Sequence, residues 1–332
     1  MRKLAFLLVV AGCLAVAGGY LAYAALREDP VSGGAEVVPE TRATLAKLGT
    51  TEPYVVYQNV RQDDDYARIA VSRATAPAAR LIAGRVCERV YFAAGRALCL
   101  MPISGVGWQY RAMILGPELE LRGAVELPGL ISRARVSPDG RYGATTGFVT
   151  GHSYLDKGFS TYTTLIDMAA GDEIADLESF TITRDGETIS APDFNFWGVT
   201  FAADSDRFYA TLATGGKTYL VQGSVDGRSA RVLHENVECP SLSPDETRIA
   251  YKKRVGDKWR LSVLDLATMR ETPLAETGSV DDQAEWLDAD NVLYGLNGDV
   301  WRVRADGSGS PSLYLADALS PSVARVGSHP SS

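Results

Sequence analysis

The chain has 332 residues, 46% of them hydrophobic and 22% charged, with a formal net charge of −8. This balance is that of a folded globular protein and excludes a wholly disordered or collagen-like chain. An acidic chain without a Lys/Arg run also argues against nucleic acid and against docking on anionic lipid.

The first 27 residues differ from the rest. Met1-Arg2-Lys3 is basic, and the 23 residues from Leu4 to Leu26 carry no charge, enough for a helix to cross a bilayer. Three fates compete. Ala22-Tyr23-Ala24 fits a signal-peptidase site with the mature chain starting at Ala25. Retention would leave a membrane anchor with the body outside, because the positive end stays in the cytoplasm. Val10-Ala11-Gly12-Cys13 resembles a lipobox, although the residues after Cys13 stay apolar where a lipoprotein turns polar. Each fate exports the body, giving an extracytoplasmic protein of a bacterial-type cell envelope, either anchored or secreted.

Residues 28–52, with Pro30, Gly33-Gly34 and Pro39, read as a linker. From 53 to 326 the chain is a series of short β-branched and aromatic runs cut by Gly, Asp and Pro, with almost no helical period. Ser137-Pro138-Asp139-Gly140 fits a type I turn residue by residue, and Ser243-Pro244-Asp245-Glu246 keeps three of the four. The turn recurs around Asp204 and, shortened, around Asp288. Asp204 and Asp245 are 41 residues apart, Asp245 and Asp288 43. Each turn precedes a strand (GATTGF, FYATLA, IAYKKR, VLYGL) and then two more strands joined by a tight polar turn. A four-stranded unit repeating every 40–45 residues or so is a propeller blade. We label its strands A to D, with the Asp turn joining A to B.

RVCERVYF to LELRGAVEL makes a further blade without that turn. YVVYQNV, YARIAVSR and AARLIAG supply three strands of another. PSVARV, at 321–326, can close the ring as the missing inner strand, removing the exposed edges. The fold class is therefore all-β: a six-bladed propeller of four-stranded blades behind a signal or anchor helix, with 327–332 as a disordered tail.

Ser-Pro-Asp-Gly followed by an apolar strand, and the segment VLDLATMRETPL, resemble the TolB-type propeller repeat over about 130–315. The resemblance implies a six-bladed propeller of the bacterial envelope that binds other proteins. The chain has only a short linker where TolB carries an N-terminal α/β domain, so TolB's own partners do not carry over.

Motifs that would carry chemistry are scarce. The histidines are His152, His234 and His329, none at metal-ligand spacing, and there is no Cys-x-x-Cys or G-x-S-x-G. Gly215-Gly216-Lys217-Thr218 lacks the upstream glycine of a phosphate loop and lies between strands. Neither Asp63-Asp64-Asp65 nor Asp281-Asp282-Gln283 with Glu285 keeps the acidic spacing of a calcium loop. No catalytic residues, metal ligands or cofactor follow from the sequence.

Cys87 and Cys99 flank a hairpin. A two-residue loop at Ala94-Gly95 sets Cys99 opposite Val90, so a disulfide would need a longer loop or a shifted register; the other reading is buried thiols.

Topology supplies the functional expectation. A–B and C–D turns share one end of the ring, and B–C loops and D–A crossovers share the other. The second end carries the irregular segments 63–66, 150–161 and 181–195. It also carries the entrances of the inner strands, with Arg133, Asp193, Asn195, Glu238, Asp281, Asp282 and Gln283 as binding candidates. A non-catalytic scaffold would dock an envelope protein there through exposed Tyr154, Phe180 and Phe194, as a monomer. The alternative is an enzyme or a small-ligand or cation binder working at the channel mouth, with Arg133, Arg135, Asp193, Glu238, Asp281 and Asp282. Asp281, Asp282 and Glu238 are expected to gather at the pore as an acidic mouth, with Arg133 as a candidate counter-charge, and to raise one another's pKa unless a cation or arginine intervenes.

Overall fold

The computed structural model describes residues 52–103, 109–151, 154 and 158–325. The signal or anchor segment, its lipobox cysteine, His152, the tail with His329 and nearly all of the linker lie outside the described residues.

Six sheets stand in a ring. The inner strands, in ring order, are Ala318–Ala324, Arg89–Ala93, Leu130–Val136, Asn195–Phe201, Glu238–Leu242 and Glu285–Trp286. Blade 1 is closed as the repeat requires. Its strand A, Ala318–Ala324, pairs antiparallel with Tyr54–Asn59, so strands from the two ends of the described chain complete one sheet. The ring thereby leaves no inner strand edge open between blades 6 and 1.

The Asp turns hold A–B connections on one face, here called the lower. In blade 3, Gly140 N donates to Ser137 O at 2.9 Å, and the Asp139 carboxylate receives Ser137 Oγ and the Arg141 N–H. Asp204, Asp245 and Asp288 accept backbone N–H groups in the same manner. Alternate strand residues pack between blades. Trp286 and Tyr294 fill one such layer, and Phe196, Phe201 and Phe208 another.

Blade 4 departs from the repeat. The stretch expected as an irregular crossover contains a hairpin, Thr181–Arg184 with Glu187–Ile189, whose first strand pairs parallel with strand D, Ser229–Glu235. Ile182 buries its side chain against the blade, and Asp185-Gly186 turns at positive φ. The blade therefore has six strands.

The disulfide between Cys87 and Cys99 is formed, with Cα atoms 5.4 Å apart. The hairpin keeps the tight register, with Val90 opposite Cys99. Neither a longer loop nor a shifted register is needed, because Cys87 is not on the strand. It lies in the crossover from blade 1, donating its N–H to Ala67 O, so the bridge ties blade 1 to blade 2.

Candidate functional site

The inner strands bring a layer of charge into the channel. Arg135 reaches Glu285 at 2.5 Å and also donates to Ser241 Oγ and Ala284 O; both ionic side chains are about 5% exposed. Tyr91 donates its hydroxyl to the same Glu285 carboxylate, lies under the Arg135 guanidinium, and is pushed up to about 12 mainly by burial. Arg133 and the fully buried Lys252 both reach Asp281 Oδ1, at 3.3 and 2.5 Å. Arg89 stands 3.5 Å from Asp282, whose other oxygen accepts the Gly295 N–H. Gln283 donates to Val199 O and Pro240 O, stitching two inner strands together.

This arrangement corrects the expectation of an acidic mouth. Arg89, Arg133, Arg135 and Lys252 balance Asp281, Asp282, Glu285 and Glu238. Burial pulls the Asp281 carboxyl up, but Lys252 and then Arg133 outweigh it and hold the carboxyl below its ordinary value. The side chain is half-exposed, so this layer is the upper limit of the plug. The void among Arg89, Tyr91, Arg133, Arg135, Asp282 and Gln283 is only about 20 Å³, room for little more than one water. The channel is closed at its waist.

Two of the proposed residues do not join this cluster. Asp193 is exposed and accepts from Thr214 Oγ1 and the Gly215 N–H, bonds that hold its carboxyl below the ordinary value and brace the B–C turn of blade 4. Asn195 accepts the Thr161 N–H at 2.7 Å and joins blade 4 to blade 3. Phe180 and Tyr154 are only 6% and 7% exposed, so neither is a docking side chain as expected, and Phe194 packs against Phe196. Tyr154 turns inward because Trp197 stacks on it at 4.7 Å and Ser132 Oγ meets its hydroxyl.

Sequence reasoning missed Arg89, Tyr91 and Lys252, which sit within ordinary strand patterns. It also missed a cleft beside the plug. Between blades 4 and 5, on the upper face, a hollow of about 360 Å³ is lined by Tyr154, Phe159, Trp197, Glu238, Arg254 and the turn at Gly216-Lys217. Backbone irregularities aim its floor. The inner strands of blades 4 and 5 both break register, with Gly198 at φ +65° and Cys239 at φ +49°. Such bulges re-aim neighbouring side chains, here Trp197 and Glu238. Glu238 is 3% exposed, and burial raises its pKa against the pull of Lys252, Trp259 and Arg254. Among the described residues no group of three or more His, Cys, Asp or Glu side chains is placed to hold a metal ion.

The sequence matches no protein-family model and no curated protein. Solved structures do match. A chain of a nidogen–laminin complex is 11% identical, covers 82% of this chain and 98% of its own, and superposes with a TM-score of 0.55. The likeness is one of fold. A TolB-type protein from Agrobacterium tumefaciens, described as putative, is 11% identical over 82% of this chain and 92% of its own, with a TM-score of 0.48. An oligogalacturonate lyase in complex with manganese, 11% identical, covers 76% of this chain and 72% of its own, with a TM-score of 0.48. TolB-like proteins and other propellers are thus among the neighbours of a six-bladed, all-β ring.

Proposed function

We propose that the chain is an exported, TolB-like propeller of the cell envelope that acts as a non-catalytic docking platform, and that its partner binds the upper face. One observation carries this reading. Of the six large apolar side chains that stand exposed among the described residues, Tyr66, Val86, Val149 and Val255 lie at the upper ends of blades 1, 3 and 5, against Leu121 and Leu313 elsewhere. A partner laid across this end of the ring would meet all four together, whereas the lower end offers Leu121 and Leu313. In the described upper loops, exposed Asp63, Asp64, Glu88, Asp185, Asp193, Glu235, Asp257 and Asp281 outnumber exposed Arg61, Arg184, Lys217 and Lys258, so the partner presents basic groups beside apolar ones.

Two further features support the reading. The channel acids and bases neutralise one another, which leaves the plug a structural part. Tyr54 and Ala324 pair at the lower end of blade 1, so the described chain enters the ring from the face opposite the proposed docking surface. Among the described residues no helix is long and apolar enough to cross a membrane; the anchor or signal role belongs to residues 1–27.

Site-specific photo-crosslinking in intact envelopes tests the docking face. A crosslinker at Val149 or Val255 should capture an envelope protein, with capture falling as salt rises. A crosslinker at Asp139 or Asp245, on the lower face, should not. Equal capture from both faces, or none from the upper, defeats the proposal. N-terminal sequencing of the mature protein separates release from anchoring, since a start at Ala25 rules out the anchor.

A further inference from the structure

The cleft between blades 4 and 5 is lined by an acid, Glu238, and a base, Arg254, that feel each other's charge without forming a direct ion pair. Every acid of the neighbouring plug has a cation within 4 Å: Asp281 has Lys252 and Arg133, Asp282 has Arg89, and Glu285 has Arg135. Among the described residues neither Glu238 nor Arg254, both lining the cleft, belongs to an ion pair at that distance. The Arg254 guanidinium lies over the Trp259 ring at 4.3 Å, and its Nη1 is buried with no hydrogen-bond acceptor. The Trp197 indole N–H is buried in the cleft wall and also lacks an acceptor, in a residue only 1% exposed. Of the eleven buried side-chain atoms without a partner among the described residues, these are the two that belong to residues lining this cleft.

We propose that this cleft binds a small dipolar ligand, a free α-amino acid or dipeptide with a large apolar side chain. Its ammonium end meets Glu238. Its carboxylate end meets the Arg254 fork, where a guanidinium offers paired donors to a carboxylate. Its side chain packs on Tyr154, Phe159 and Ala213. A simple anion fits less well, because it would approach the Glu238 carboxylate. A simple cation would approach Arg254 and Lys252, which already lies over the Tyr154 and Trp259 rings. The volume of about 360 Å³ falls in the lower part of the range of ligand pockets. A hollow of about 370 Å³ between the lower ends of blades 2 and 3 has no acid in its lining and offers no such pairing. The inference does not depend on the docking reading, since the cleft would bind its ligand with or without a protein partner.

Isothermal titration calorimetry on the full-length chain in detergent tests it. The probes are phenylalanine and leucyl-phenylalanine, each compared with its N-acetylated and its C-amidated form. Saturable binding of the free forms, tighter than about 1 mM, is expected, with a loss of about tenfold or more on blocking either end. Glu238→Gln should remove the penalty for acetylation, and Arg254→Met the penalty for amidation. Ala213→Trp should abolish binding by filling the cleft, and it serves as the deciding variant if Glu238→Gln does not fold. No saturable binding by any probe, equal binding of blocked and free forms, or unchanged selectivity in both charge variants overturns the proposal.

Discussion

The Cα of Cys239 lies where a side chain on Gly198 would have to go: a Cβ built on Gly198 falls 2.6 Å from it. The two residues face each other across blades 4 and 5, both at positive φ, and each follows a residue that lines the cleft. Gly198→Ala therefore meets a backbone atom that cannot rotate away and also forces alanine into the left-handed region. We expect a loss of about 2–4 kcal/mol in denaturant unfolding, combining backbone strain with overpacking. Cys239→Ala should not rescue it, because the obstructing atom is Cα. A rescue would show that the blades can slide apart at this point.

The turns around Asp139, Asp204, Asp245 and Asp288 were readable in the sequence because their hydrogen bonds join residues two to five positions apart. Ser137, Asp139 and Tyr142 form such a set among themselves. The closing strand of blade 1 was readable for a different reason: a ring short of one inner strand needs one, and only the end of the chain could supply it. The cleft was not readable. Nothing local distinguishes Gly198 from other strand glycines, or shows that Cys239 will adopt positive φ; both follow from the approach of two blades. Lys252 belongs to the strand Arg248–Val255, whose four cations do not show in sequence which of them turns its charge toward the channel. Tyr154 and Phe180 were misplaced because aromatic residues in a loop look exposed until Trp197 and Phe208 are packed against them.

The Arg135–Glu285 pair should behave as buried ion pairs do. Arg135→Met leaves the buried Glu285 with only the Arg325 guanidinium, 4.0 Å from its other oxygen, with an expected loss of about 3 kcal/mol, the low end for a broken buried pair. Arg135→Met combined with Glu285→Leu should recover most of that loss, because it removes the stranded charge along with its partner. Removal of Lys217, in its exposed pair with Glu235, should leave the unfolding midpoint unchanged. A double variant no more stable than Arg135→Met would show that the Ser241 and Ala284 contacts of Arg135, rather than the charge balance, hold the waist.

Reduction of the Cys87–Cys99 bridge should lower stability without changing the fold. The bridge closes a short loop, at a sequence separation of 12, for which chain-entropy reasoning gives about 3 kcal/mol. Cys87→Ser with Cys99→Ser should reproduce the effect of a reductant, measured by thermal unfolding. Because the bridge joins the crossover of blade 1 to strand B of blade 2, hydrogen exchange should quicken first along Tyr54–Asn59 and Arg96–Pro102. Uniform exchange across all six blades would contradict that placement.

Glu178 sets a pH dependence whose direction follows from its surroundings. Its carboxylate accepts the N–H of Thr163 from blade 3 at 3.0 Å and that of Phe196 from blade 4 at 3.3 Å. Burial nevertheless dominates, with a smaller push from Asp176, and raises the carboxyl to about 7 from an ordinary 4.5. An acid with a raised folded-state pKa holds more protons folded than unfolded between those two values. Its contribution to stability is therefore largest at or below about pH 4.5, falls as pH rises, and has reached its lower limit above about pH 7. The full span is on the order of 3 kcal/mol. Glu178→Gln keeps an acceptor for one of the two N–H groups and removes the ionisation. The variant should be more stable than the wild type at pH 8, close to it at pH 5, and should flatten this part of the profile of urea midpoint against pH. A profile of unchanged slope in Glu178→Gln would assign the dependence to another group and leave Glu178 as a neutral staple between the two blades.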